Sequence, residues 1–527
     1  MKTAMNRKSP NAAPIDRRQF LATAAAGAIL PAATALLPKA AKTDDAVRGG
    51  DLRLAMTGGA TSNTLDPATS TDLFEFCSNW SLRNSLIEID ADGVAQPELA
   101  ESWDLSADAT TWTFTLREGV EFHNGKTLTS EDVVASINHH RGDDSTSAMK
   151  DTLEQIVEIE ADGANVVVTL KTVNLDFPYV LSDPHITIAP AGTQGAGWDE
   201  GMGTGGYMLE DWDPGVRFAA IRNPNYWKDD RAHFDSVELI NVLDVAARTN
   251  ALMSGDVDVS VSPDNKVYDR LAALPEFQIV ELPSSGHVTM PMLTNAAPFD
   301  NLDVRLALKY AIDRQEFVDK VFLGHASIGN DNPINSAYRF FASDLPQRPY
   351  DPDKAKFHLN KAGLSELRVD LSAADTAFEG AINGAVLFAE QARKAGIEIN
   401  PIREPDDGYW DNVWMKKPFS FSSWSGRSTV DWMFSVAFAA DAPWNESFWM
   451  NERFNALLVA ARAERDDTLR AEMYREMQLI VSDDGGVIVP AFTNYTIAAS
   501  TKLAHNKVAN NWNLDGCRIT ERWWLTA

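Results

Sequence analysis

Residues 203–227, GTGGYMLEDWDPGVRFAAIRNPNYW, restrict the possible folds more than any other segment of the chain. Two short apolar runs, 207–212 and 216–221, flank the turn sequence Asp213-Pro214-Gly215, so the segment predicts a β-hairpin. Its glycines also satisfy the spacing of a dinucleotide fingerprint, Gly201-x-Gly203-x-x-Gly206. That motif works only where a strand leads into a helix whose N-terminus receives the pyrophosphate. A second strand follows here instead, and the glycines are read as turn residues.

The rest of the chain mixes the two periodicities. Alternation over residues 50–56 and 111–117 predicts strands. Residues 74–86 carry apolar side chains at helical spacing. Ser130-Glu131-Asp132 puts acids in the first turn of a second helix, and residues 246–259 predict a third that stops at Ser254-Gly255. The fold class is therefore α/β. A globular chain of 527 residues exceeds a single core, so two or more domains are expected.

Residues 1–40 read as an export leader. Lys2, Arg7 and Lys8 precede Asp16-Arg17-Arg18-Gln19-Phe20-Leu21, which carries the paired arginines of a Tat signal peptide. The apolar run that follows is alanine-rich, broken by Pro31, and short beside the ~20 residues of a membrane span. Ala33-Thr34-Ala35 offers a small-x-small cleavage site. The expected location is the periplasm of a Gram-negative host. The only cysteines, Cys77 and Cys517, lie far from that site, so the protein is expected not to be membrane-anchored. They are open to two readings, a disulfide that the compartment permits or two small buried thiols. Removing the leader makes the formal charge of −28 more negative still. Such a field repels nucleic acid and anionic lipid, and neither is expected as a partner.

Further landmarks follow in order: Pro97-Glu98-Leu99-Ala100-Glu101-Ser102-Trp103, Phe122-His123-Asn124-Gly125, Ser254-Gly255-Asp256-Val257-Asp258, Pro298-Phe299-Asp300 with Val304-Arg305 and Ala311-Ile312-Asp313-Arg314, and Tyr350-Asp351-Pro352. With Gly203-Thr204-Gly205 and Arg222-Asn223-Pro224-Asn225-Tyr226-Trp227, they resemble the solute-binding proteins that serve ABC importers of peptides, nickel complexes and related solutes. Gly206 stands where that family usually has proline. The resemblance implies a two-lobed periplasmic-binding-protein fold with two hinge-crossing strands, near 283–289 and 488–493, and an extra subdomain in the first lobe. The first lobe would comprise 47–83, 184–285 and 490–527, with 84–183 as the inserted subdomain; the second lobe would be 286–489. The implied role is capture of a small solute and delivery to an inner-membrane ABC permease, by a monomer, without chemistry on the solute.

Of 15 tryptophans, Trp410, Trp414, Trp424, Trp432, Trp444 and Trp449 fall within forty residues. Tryptophan offers rigid contact area with one polar handle, which suits both a cleft and a core. The sequence Ser423-Trp424-Ser425-Gly426-Arg427 is similar to the Gly-Trp-Thr-Gly-Asp loop of dipeptide-binding relatives, whose aspartate pairs with the peptide ammonium. Trp424 and Gly426 match, whereas Arg427 replaces an acceptor of cations with a fork-shaped donor for carboxylate or phosphate. Two readings follow: Arg427 meets an anionic part of the ligand, or it turns away to pair with Asp431, Glu404 or Asp407. Asp431, His287, and the polar loop residues Thr61, Ser62 and Asn63 complete the candidates for ligand binding. The ligand is expected to be a peptide or a polar, anionic solute such as an opine-like or sugar-containing conjugate.

No cofactor or metal site is expected, because the nine histidines show no metal-ligand spacing. A periplasmic hydrolase is the alternative class, but the chain has no GxSxG elbow, HExxH helix or reactive-cysteine signature. A sensory or chaperone role on the same fold is the third reading.

Overall fold

A computed structural model describes residues 46–526. The leader read in residues 1–40 lies outside them. Among the described residues no helix is long and apolar enough to cross a membrane.

The hairpin forms as its sequence requires. Tyr207–Asp213 pairs antiparallel with Arg217–Arg222, and Gly215 turns the chain with a φ of 71°. The pair edges a nine-stranded mixed sheet, continuing through Ser236–Asn241, Asp51–Met56, Val259–Val261, Val487–Ser500, Phe277–Pro291 and Ser422–Trp424, with the short strand Ala326–Ile328 also paired to Val487–Ser500. Asp51–Met56 runs parallel to both of its neighbours, Ser236–Asn241 and Val259–Val261. The two longest strands, Phe277–Pro291 and Val487–Ser500, lie antiparallel at the middle of the molecule, with register shifts between Pro283 and His287 and between Val288 and Met290.

The buried apolar residues fall into several clusters. One draws on 52–82, 207–282 and 497–523, including Phe74, Tyr207, Phe218 and Trp523. A second lies within 86–188, built on the four-stranded antiparallel sheet Ala100–Leu105, Thr111–Leu116, Asn165–Leu170 and Ile156–Asp162. Two more use residues between 288 and 492. One of these holds a parallel strand pair, Leu367–Ala373 with Ile397–Arg403, joined through the helix Ala381–Ala392.

The helices carry local start and stop signals. Asp72 caps Leu73–Leu82 by accepting from Glu75 N at 3.0 Å, and Thr129 with Asp132 forms a capping box ahead of Ser130–His139. The helix expected over 74–86 ends at Leu82. Arg83 leaves helical geometry because its buried guanidinium donates to the carbonyls of Leu65, Trp198 and Met202 at 2.8–3.0 Å. Val245–Ser254 stops at Gly255, which takes the left-handed conformation at φ 79°.

Candidate functional site

Strand Ser422–Trp424 adds to the edge of Phe277–Pro291, with His287 opposite Trp424 and Thr289 opposite Ser422. Beyond it, residues 425–428 bend away from the sheet before Thr429 caps the helix Val430–Ala437 through Trp432 N. Only glycine fits at 426, since an added Cβ would lie 1.6 Å from Ser285 Oγ. The bend is thereby pressed onto the central strand beside its register shift.

Arg427 sits at the tip. Its guanidinium carbon lies 5.9 Å from the Trp424 ring centroid and 6.0 Å from that of Trp444. Trp424 is buried, while Trp444 remains 47% exposed. The Arg427 amide donates to Tyr338 Oη at 3.2 Å. Every hydrogen bond of its side chain runs through Nη1, to the carbonyls of Ser425 and Gly426 at 3.0 Å and more weakly to Ser425 Oγ. Among the described residues, Nε and Nη2 have no protein acceptor and no carboxylate pairs with this arginine. Burial lowers its pKa, against the pull of Tyr338 and Asp183.

The alternative partners considered for Arg427 are engaged elsewhere or stand apart. Asp431 accepts from Arg462 Nε at 3.1 Å, and Glu404 accepts from Ser372 Oγ at 2.8 Å. Glu404 and Asp407 line a separate hollow with Gly408, Asn412 and Lys417. Asp431 thus lies one turn beyond the loop as half of an ion pair.

His287 is 1% exposed beneath the loop, against Phe492 at a centroid distance of 5.4 Å. Its Nδ1 meets the Ser285 carbonyl at 3.1 Å, its Nε2 has no partner among the described residues, and burial lowers its pKa to about 4. It underlies the site as a neutral ring. Thr61, Ser62 and Asn63 lie at the hairpin turn, where a Cβ on Gly215 would approach the Ala60 carbonyl carbon to 2.3 Å. Asn63 makes local bonds, from Ala60 N and to Asp72 at 3.2 Å. None of its hydrogen bonds reaches the Arg427 loop.

The helices after the loop touch segment 84–183. Arg470 pairs with Asp176 at 2.7 Å, with both side chains buried, and Arg465 Nη2 donates to the Ser106 and Ala107 carbonyls at 2.8 and 3.1 Å. Burial opposes the charge on Arg470, yet Asp176 outweighs it and the pKa is raised. Asp176, Tyr179, Arg339, Phe340, Ser428, Thr429 and Val430 line the crevice between them, immediately after Arg427. Sequence reasoning missed Tyr338 and the Asp176–Arg470 pair. Their positions depend on contacts between distant segments, and no local pattern marks them.

A second polar cluster surrounds Glu98. Oxygens of Glu88, Glu98 and Glu521 converge within 4.8 Å, a spacing that a metal ion could use. The Lys228 ammonium already bridges all three at 2.8–2.9 Å, and Arg518 holds Glu98 with both nitrogens at 2.7 and 2.8 Å. Arg522 and Arg231 meet Glu88. Tyr226 Oη donates to Glu521 at 2.6 Å and Trp227 Nε1 to Asn84 at 3.2 Å. Of these, Glu98, Tyr226 and Trp227 come from the landmark motifs, and each is paired here with other protein groups.

Comparison with known proteins bears on the family and fold of the chain. The profile of bacterial extracellular solute-binding proteins, family 5 Middle, matches residues 94–446. The glutathione-binding protein GsiB of Salmonella typhimurium is 27% identical over 441 residues, covering 80% of this chain and 85% of its own. The heme-binding protein A of Haemophilus influenzae is 26% identical over 440 residues, covering 77% and 80%. Among solved structures, AgaA from A. tumefaciens R10 in complex with agropinic acid superposes with a TM-score of 0.72 at 24% identity, over 91% of this chain and 99% of its own.

Proposed function

The chain belongs to family 5 of the bacterial extracellular solute-binding proteins, and from that premise we propose that its solute carries a carboxylate or comparable oxyanion held by Arg427. The protein is a periplasmic substrate-binding component of an ABC importer, which captures a small ligand and delivers it to the permease. The observation that carries the ligand class is the Arg427 side chain, set between Trp424 and Trp444 with two of its nitrogens unclaimed by protein. A guanidinium fork with free donors fits a planar oxyanion in bidentate fashion. Relatives named for glutathione and for agropinic acid set the size range: an acidic peptide or an opine-like conjugate.

The mechanism is closure. The lobes are taken as 47–83, 184–285 and 490–527, with 84–183 inserted, against 286–489. The separate apolar clusters support this division, and the register shifts at 283–291 support hinges near 283–289 and 488–493. Asp176–Arg470 and Arg465 with the 106–107 carbonyls then bridge the lobes. A ligand shifts the population toward closure only by its greater affinity for that form. The loop bearing Arg427 leads directly into Val430–Ala437, so anion capture and lobe contact lie a few residues apart. The protein performs no catalysis in this reading. Residues 1–40 direct Tat export in a Gram-negative host, and the mature protein acts as an unanchored monomer.

Native mass spectrometry of protein isolated from the periplasm tests the ligand class. The expected result is a mass excess released on denaturation as an acidic molecule. Release of a neutral or purely cationic solute would refute the role of Arg427 while leaving the importer function standing.

A further inference from the structure

Two cysteines far apart in the chain meet in one core. Cys77 lies on the helix Leu73–Leu82, and Cys517 ends the C-terminal turn Asn513–Cys517. Both are 0% exposed and belong to the same apolar cluster. The helix and the turn pack directly on one another, and both cysteines stand there as buried free thiols. Leu514, Asp515, Gly516 and Cys517 all take left-handed conformations, with φ of 55–69°. L side chains rarely adopt that geometry, and it persists only where the surroundings impose it. Here Asp515 imposes it. Its carboxylate accepts from Ala509 N at 2.7 Å and Trp523 Nε1 at 3.1 Å, and Arg522 Nη1 binds both its carbonyl and its carboxylate at 3.0 Å.

We propose that Cys77 and Cys517 form a disulfide in the mature protein, tying the C-terminal segment to the helix Leu73–Leu82. Among the described residues neither thiol belongs to a cluster of metal-ligand spacing, and both are closed off from solvent. The reaction requires an oxidant, which is a second disulfide of the kind carried by thiol–disulfide exchange catalysts. One cysteine, as thiolate, attacks that disulfide and forms a mixed disulfide. The other then attacks the mixed bond, forming the Cys77–Cys517 bond and releasing the oxidant as a dithiol. Two electrons and two protons pass from the cysteine pair to the oxidant, so the exchange balances. Burial and the neighbouring Cys517 push the Cys77 thiol well up, and exchange therefore proceeds through opening of the C-terminal turn rather than in the closed core.

The test uses wild-type protein from the periplasm, denatured with iodoacetamide and no reductant, followed by intact mass and peptide mapping. The expected result is no added alkyl group, a cross-linked peptide pair containing Cys77 and Cys517, and an unfolding midpoint that falls by roughly 5 °C on reduction. Two alkyl groups would overturn the proposal, as would an unalkylated protein lacking the cross-linked pair.

Discussion

Charge is buried in two regions of this molecule and handled differently in each. Around Glu98, three carboxylates are matched by Lys228, Arg518, Arg522 and Arg231, and the assembly joins residues from the beginning, middle and end of the described chain. At the Arg427 loop a half-buried guanidinium faces two tryptophans and its own backbone, with no counter-ion among the described residues. Withdrawing charges from water is costly unless they are paired. The first region meets that condition within the protein. The second does not meet it among the described residues, and in the proposed reading the ligand supplies the missing partner.

The comparison can be broken most forcefully in the first region, the frame. Glu98→Gln leaves Arg518 short of its main partner, and removal of one member of a buried pair costs about 3–5 kcal/mol. Urea denaturation should record that loss, with ligand affinity unchanged in the protein that remains folded. Unaltered stability would show that the cluster is not structural.

Arg427→Ala should do the reverse. Losing a charged hydrogen-bonding partner weakens binding by about 3 kcal/mol, on the order of 100-fold in Kd. The unfolding midpoint of the free protein should stay close to that of the wild type. A large fall in that midpoint would place Arg427 in the frame instead.

His287, beneath the Arg427 loop, makes stability depend on pH. Its folded pKa of about 4 lies below the ordinary histidine value of 6.5, so the unfolded chain takes up its proton first as pH falls. The associated stability is complete above about pH 6.5 and is lost progressively as the pH falls toward 4. At pH 4.5 the loss should reach roughly 2–3 kcal/mol. Denaturation of His287→Leu across this range should show a shallower pH slope than the wild type. Equal slopes would assign the acid sensitivity to other groups, including His123 and His140, whose pKa values burial lowers to about 4 and about 3.

Asp176→Asn sharpens the account of closure. It weakens a bridge formed with Arg470, and ligand affinity should fall about tenfold, about 1.4 kcal/mol, mainly through faster dissociation. Stopped-flow release measurements would detect the change. The smallest effect is expected from joint replacement of Thr61 and Ser62 by alanine, since both are exposed on a loop beside the hairpin turn. Stability should remain within about 0.5 kcal/mol, and calorimetry should show unchanged affinity. A marked loss would bring that loop into the ligand site.

The same contrast explains what the sequence could disclose. The hairpin of 207–222 was legible because a turn between apolar runs dictates it locally. The helix stop at Ser254-Gly255 was legible for the same kind of reason. Glu98, Tyr226 and Trp227 stood out as motif residues, and the structure gives them partners in the frame. Trp424 and Gly426 were legible by resemblance, and Arg427 by its departure from it. The early end of the first helix escaped notice because carbonyls of Leu65, Trp198 and Met202 decide it, and two of those residues are distant in sequence. Tyr338 and Trp444 acquire their positions in the same way, from the folding together of separate segments.

The most direct test of the central claim is a calorimetric titration of wild type and Arg427→Ala with the co-purified ligand and with its carboxamide analogue. If Arg427 anchors the oxyanion, converting acid to amide should cost the wild type about 100-fold in affinity, about 2.7 kcal/mol, and cost the variant little. Equal losses in the two proteins would show that the acidic group is bound elsewhere and would contradict the account.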